Sequence, residues 1–241
     1  MTPDPGLHIW GRLSSINVRK VVWCAQELGL DFQRTEAGGP FGLVQTPEYL
    51  ALNPNALVPV VQDGNYVLWE SNVVVRYLCA KYGAPTLATS CASLPPKGAA
   101  PCLGRPGAAA APGTLYPTGL RARFDAERWM DWQQTTLNPA GRDAFLQWVR
   151  TAPAQRNMEL FQRSVAATEP LLVLLDAHLS QQPFMAGDQF TMADIPVGCE
   201  IHRWRAIPPS PGAPATPHLD RWYQAVSSRP AALGVLDQPL R

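Results

Sequence analysis

Residues 58–71, VPVVQDGNYVLWES, hold two short apolar runs on either side of Asp63-Gly64-Asn65. β-Branched and aromatic residues around such a turn signal predict a β-hairpin. Glu70 and Ser71 follow at once, and Val74, Val75 and Leu78 continue at helical spacing up to Gly83, where a helix would stop. The segment therefore reads as hairpin, sharp corner, helix.

Upstream, Leu7-His8-Ile9-Trp10 is a short apolar run, and Val18, Val21, Val22, Ala25 and Leu28 mark one face of a helix ended by Gly29. Ser14 and Ser15 fall in the turn between them. A second strand is expected over Asp31–Glu36, and Thr46-Pro47-Glu48 predicts a capped helix with proline at its first position. The order over residues 1–83 is βαβαββα. Ser15 then stands at a helix N-terminus, where free amides and the helix dipole favour an anion.

Downstream, residues 84–117 are rich in alanine, proline and glycine and carry few large apolar groups. Such a stretch cannot bury enough surface to offset its ordering entropy, so a flexible linker with an inserted segment is expected. Residues 118–241 show helical periodicity, with Trp129, Trp132, Leu137, Leu171, Leu172, Leu175 and Leu179 available for an all-α core. The fold class is α+β in two domains. In FTMADIPVG, Thr191 and Asp194 are spaced for reciprocal capping and Phe190 for packing on Ile195. Pro196, so early in that helix, predicts a local distortion.

Charge and composition narrow the function. Lys plus Arg total 20 against 19 for Asp plus Glu, with no basic stripe, so nucleic acid is not an expected partner. No apolar run approaches the roughly 20 residues that span a membrane, and MTPDPG lacks a signal sequence, which predicts a cytoplasmic protein. The five cysteines show neither C-x-x-C nor paired metal spacing, so no metal is expected and Cys24 and Cys79 read as small buried apolar side chains.

SSINVRK, NPNALVPVV and LWESNVVVRYL resemble the thioredoxin-like domain of glutathione S-transferases, and the helical part with FTMADI resembles that family's second domain. The likeness is to bacterial, serine-dependent theta- and zeta-like members, since no tyrosine lies in the first strand or the turn after it. The resemblance implies glutathione as co-substrate, a cis-Pro59 that turns the Val58 backbone toward the cysteinyl part of glutathione, and Glu70 and Ser71 at its γ-glutamyl end. It implies Ser15 as the hydrogen-bond donor to the sulfur, with Asn17 as a second donor and Ser14 as a rival. It also implies a homodimer. A small hydrophobic electrophile is placed between Leu13 and a helix carrying Trp129, Trp132, Gln133 and Thr136.

One departure stands out. Two positions before Pro59, related classes carry a lysine, arginine or glutamine for the glycine carboxylate of glutathione, whereas this chain has Leu57. Two other functions use the same fold: a glutathione-dependent disulfide reductase or peroxidase, and a non-catalytic ligand-binding protein. Dithiol exchange by the protein itself would need cysteine at Ser14 or Ser15.

Overall fold

The computed structural model describes residues 6–83 and 115–240. A four-stranded sheet is built from β1 (Leu7–Trp10), β2 (Phe32–Thr35), β3 (Val60–Asp63) and β4 (Tyr66–Trp69), in the order β2-β1-β3-β4. β1 runs parallel to β2 and antiparallel to β3, and Val60 opposite Trp69 with Asp63 opposite Tyr66 closes the hairpin on Gly64-Asn65. Alternation along β1 divides its side chains: Leu7 and Ile9 are buried in the main core, while His8 and Trp10 stack on the other face. There Trp10 meets Tyr49 of α2 (Pro47–Leu52) edge to face. Thr46 caps α2 as expected, its hydroxyl accepting the Tyr49 amide at 3.3 Å.

α1 (Ile16–Glu27) and α3 (Ser71–Tyr82) pack side by side on the opposite face of the sheet. Val18, Val21, Val22 and Ala25 are buried there with Val74, Val75 and Leu78, and the Cys24 and Cys79 sulfurs lie 3.5 Å apart among them. The hydrogen bond with the Cys79 thiol, and then burial, push the Cys24 thiol well above its usual pKa, so it stays protonated. Residues 84–114 of the expected linker, with Cys91 and Cys102, lie outside the described residues. Leu115 is buried in the core and its carbonyl accepts the Met192 amide, so packed structure begins before residue 118.

The second domain consists of α4 (Leu120–Trp132), α5 (Asn138–Phe145), α6 (Met158–Leu179), α7 (Asp194–Trp204) and α8 (Pro217–Ser227). π turns at Gln133–Leu137 and Leu146–Arg150 flank α5. Pro139 supplies no amide to a continuous helix, and the Asn138 amide reaches back five residues to Gln133 instead. Leu137, Leu172, Leu175 and Leu179 are buried as expected, with Trp132 and Leu171 packed at the edge of the same core. The domains meet at α1 and α7. A Cβ on Gly198 would come within 2.9 Å of the Trp23 ring, so the glycine permits that approach.

Two expectations around α7 are corrected. The Asp194 carboxylate accepts the Thr191 amide at 2.8 Å, but the Thr191 hydroxyl accepts from Ala193 at 3.3 Å, so the reciprocal box is only half made. Asp194 Oδ1 instead accepts the Met185 amide at 2.9 Å and the Trp222 indole at 2.8 Å. No distortion accompanies Pro196. It occupies the third position of α7, where an amide would have no partner inside the helix.

Candidate active site

The turn between β1 and α1 is held by backbone bonds from Gly11 to Thr35, Arg12 to Ala37 and Ser15 to Arg12, 2.8–3.2 Å long. Ser15 is the N-cap of α1 with extended backbone (φ −84°, ψ 125°), yet its side chain makes no capping bond. Ser14 and Ser15 border a cleft of about 190 Å³. Among the described residues neither serine hydroxyl has a hydrogen-bond partner. The Ser14 carbonyl is fixed by Arg150 at 2.6 Å.

Beneath the serines lie two buried cations from the first turns of α1. Arg19 donates to the carbonyls of Leu13 and Val235 at 2.6 Å and of Gln238 and Pro239 at 2.7 Å, tying the C-terminal segment to the serine turn. Lys20 donates to Gln133 Oε1 at 2.8 Å and Gln134 Oε1 at 3.1 Å, and Gln133 passes the link to Glu200 at 2.9 Å. Burial lowers the Lys20 pKa to about 8, which leaves it mostly charged at neutral pH. Of the two, only Arg19 borders the serine cleft, while the Lys20 ammonium faces Glu200 across Gln133.

Val58-Pro59 is a cis peptide. The Leu57 carbonyl is pinned by Tyr49 Oη and Asn53 Nδ2, both at 2.9 Å, while the Leu57 side chain is 64% exposed. Among the described residues the Val58 amide and carbonyl have no partner. Glu70 turns the corner into α3 with φ +72° and is exposed. Ser71 is buried, and its hydroxyl donates to Asn17 Oδ1 at 3.2 Å, which joins α1 to α3; Asn17, Val58, Glu70 and Ser71 do not line the serine cleft itself.

The expected pocket residues separate from this cleft. Trp129 packs against Trp132 and His178 at the edge of the core, with ring centroids 5.2 and 4.4 Å away. Gln133 is fully buried and spends both ends of its amide on Lys20 and Glu200, so it is a structural bridge and not a pocket wall. Leu13 packs on the core, and Thr136 is half-buried in the π turn. The cleft is walled instead by Arg12, Arg142, Phe145, Leu146, Arg150 and Leu240. Arg142 and Arg150 carry no local sequence signal that would turn them toward the serines.

A larger cavity of about 310 Å³ between α6, α7 and the segment before α8 shares no lining residue with the serine cleft. Its lining includes Thr216, the N-cap of α8, whose hydroxyl also makes no capping bond, but none of the residues expected to hold glutathione or its sulfur, so the smaller cleft with Ser14 and Ser15 is the candidate site. Among the described residues no group of three His, Cys, Asp or Glu side chains could hold a metal ion, and no helix is long and apolar enough to cross a membrane.

A thioredoxin-like sheet with a cis-proline, joined to a helical domain with the cleft at their seam, defines the class of protein. Residues 5–80 match the family model of the glutathione S-transferase N-terminal domain, and residues 137–230 match that of the C-terminal domain. The chain is 34% identical over 238 residues to the glutathione S-transferase GstB of Escherichia coli K12, covering 97% of this chain and 99% of the relative. Glutathione S-transferase 3 of Zea mays is 29% identical over 231 residues, 93% of this chain and 90% of that protein. The crystal structure of a theta class glutathione S-transferase from Xanthomonas axonopodis pv. citri with glutathione bound superimposes with a TM-score of 0.83, at 38% identity, covering 98% of this chain and 100% of that one. The chain belongs to the glutathione S-transferase family and is a glutathione transferase.

Proposed function

We propose that Ser15 holds glutathione as its thiolate and that the adjoining cleft presents an electrophile to it. The observation that carries this is the Ser15 hydroxyl, which stands at the N-terminus of α1, makes no capping bond and borders the cleft. Other groups fit glutathione in turn. The amide and carbonyl of Val58, without a partner among the described residues, suit strand-like pairing with its cysteinyl residue. The exposed Glu70 carboxylate suits its amino group, and the first amides of α3 at Ser71 suit its γ-glutamyl carboxylate. Asn17 gives its side-chain oxygen to Ser71, which leaves its NH₂ as a second donor near the sulfur.

Glutathione supplies the nucleophilic sulfur. A thiol of unperturbed pKa near 8.5 must fall by about two units to ionise at neutral pH, which requires roughly 2.7 kcal/mol. A hydrogen bond to a charged group contributes about 1.5–3 kcal/mol and a helix N-terminus about 0.3–1 kcal/mol. The Arg19 guanidinium at the edge of the cleft acts in the same direction. Together these suffice without a general base. Cys199 borders the cleft too, but burial raises its pKa to about 12, so it offers no thiolate for a reductase reaction.

Conjugation of chlorodinitrobenzene to glutathione tests this assignment: catalysed formation of the thioether supports it, and tight glutathione binding without turnover of any activated aromatic would favour a binding protein. Because Leu57 projects into solvent beside the Val58 backbone, Leu57→Lys is expected to tighten glutathione binding by about 1 kcal/mol in calorimetry at low salt. Unchanged affinity would place the glycine carboxylate on another residue.

A homodimer fits the surface of α3 and α4. Asn72 Nδ2 donates to the Met130 carbonyl at 2.7 Å and Arg76 reaches Asp131, so these helices lie together and leave Val73, Leu120 and Phe124 exposed. Sedimentation equilibrium is expected to give twice the chain mass, and Phe124→Asp to give the chain mass. A monomeric wild type would exclude the dimer. The free buried cysteines at 24, 79 and 199 accord with a reducing, cytoplasmic setting.

A further inference from the structure

The cleft beside the serines has an unbalanced charge. Five of its lining residues are arginines, at 12, 19, 142, 150 and 203, and none is an aspartate or glutamate. Two of the five are committed. Arg19 is spent on main-chain carbonyls, and Arg203 is paired with Glu200 and bonded to Asn138. Arg150 donates to the Ser14 carbonyl and flanks the Phe145 ring at 5.5 Å. Arg12 and Arg142 differ, for among the described residues no carboxylate pairs with either.

Arg12 is held in place even so. Its guanidinium lies on the backbone of Gly38 and Gly39, so closely that a Cβ on either would come 2.8 or 2.9 Å from it, and its Nε is buried without a partner. Arg142 stands on α5 across the cleft and is exposed. An apolar electrophile would gain from Phe145 and Leu146 but would leave these guanidinium groups facing it without a counter-charge. A substrate carrying an anion would supply that counter-charge.

We infer that the electrophile taken by this cleft carries a carboxylate, held by Arg12 and Arg142 while its reactive carbon faces the serines. The inference rests on the assignment of this cleft to the electrophile under Proposed function, and it names the substrate class. For an aryl halide of this kind, the glutathione sulfur bonds to the halogen-bearing carbon, the carbon–halogen bond breaks, halide leaves with the bonding pair and the thiol proton passes to solvent. The carboxylate takes no part in the bond changes. It sets orientation and affinity.

The test compares chlorodinitrobenzoate with its neutral amide, chlorodinitrobenzamide, each rate divided by the uncatalysed rate with glutathione. The acid is expected to be preferred by about tenfold in kcat/KM, mostly through KM, as fits a charge-assisted hydrogen bond in a partly open site. Added salt should erode that preference. Arg142→Gln, at an exposed position that tolerates substitution, and Arg12→Gln are each expected to bring the ratio to within about threefold of one, and Arg142→Lys to restore part of it. A corrected ratio of one or less in the wild type overturns the inference, as does a ratio retained in both glutamine variants. Turnover of chlorodinitrobenzene without turnover of the acid also overturns it and leaves the transferase assignment standing. Absence of turnover with all three compounds overturns that assignment itself.

Discussion

Asp194→Ala is expected to lower the melting temperature by about 10 °C or more and to leave little folded protein at physiological temperature. The carboxylate accepts from the Met185 and Thr191 amides and from the Trp222 indole at 2.8–2.9 Å, and all four residues are buried. Truncation orphans three donors at once. Each buried unsatisfied donor costs about 1–3 kcal/mol, so the loss is on the order of 4 kcal/mol. At about 2–4 °C per kcal/mol for a chain of this size, the shift in melting temperature follows. Burial drives the Asp194 pKa up to about 6 against those three bonds, so even the intact carboxylate stands near the limit of what its donors can hold. Asp194→Asn keeps one acceptor and should lose roughly half as much in denaturant titration. A loss under about 1 kcal/mol in Asp194→Ala would mean that water replaces the carboxylate.

Ser15→Ala should reduce turnover at neutral pH by about tenfold to a hundredfold while the protein folds normally, because one charge-assisted hydrogen bond disappears and the helix N-terminus remains. The fold has little stake in this hydroxyl, which makes no capping bond. Glutathione affinity should change far less than kcat, since Val58, Glu70 and Ser71 are untouched. Ser14→Ala should be milder. The Ser14 carbonyl, held by Arg150, is retained in that variant. Equal loss of kcat and of glutathione affinity in Ser15→Ala would point to displacement of the turn and not to the sulfur contact.

How much of this was legible in the sequence depended on how local the cause was. The hairpin at residues 60–69, the cap at Thr46 and the core face of α1 each follow from neighbours within a few residues, and each is present. The half-made box at Asp194 marks the boundary. Its bond to Thr191 spans three residues and was readable, whereas Met185 and Trp222, nine and 28 residues away, depend on how the helices close. Gln133 was misplaced for the same reason: its partner Lys20 lies 113 residues earlier in the chain. The arginine walls of the cleft were illegible because exposed arginines on a helix ordinarily face solvent, and the π turns around α5 alter which face they present.

The central claim is that the Ser15 hydroxyl stabilises the glutathione thiolate, and ultraviolet thiolate absorbance of enzyme-bound glutathione, followed against pH, measures it directly. The wild type is expected to titrate about two units below free glutathione, and Ser15→Ala about one to two units higher than wild type, with a smaller displacement in Ser14→Ala. A larger displacement in Ser14→Ala than in Ser15→Ala, or no displacement in either, would contradict the assignment to Ser15; the second outcome would turn attention to the Asn17 amide.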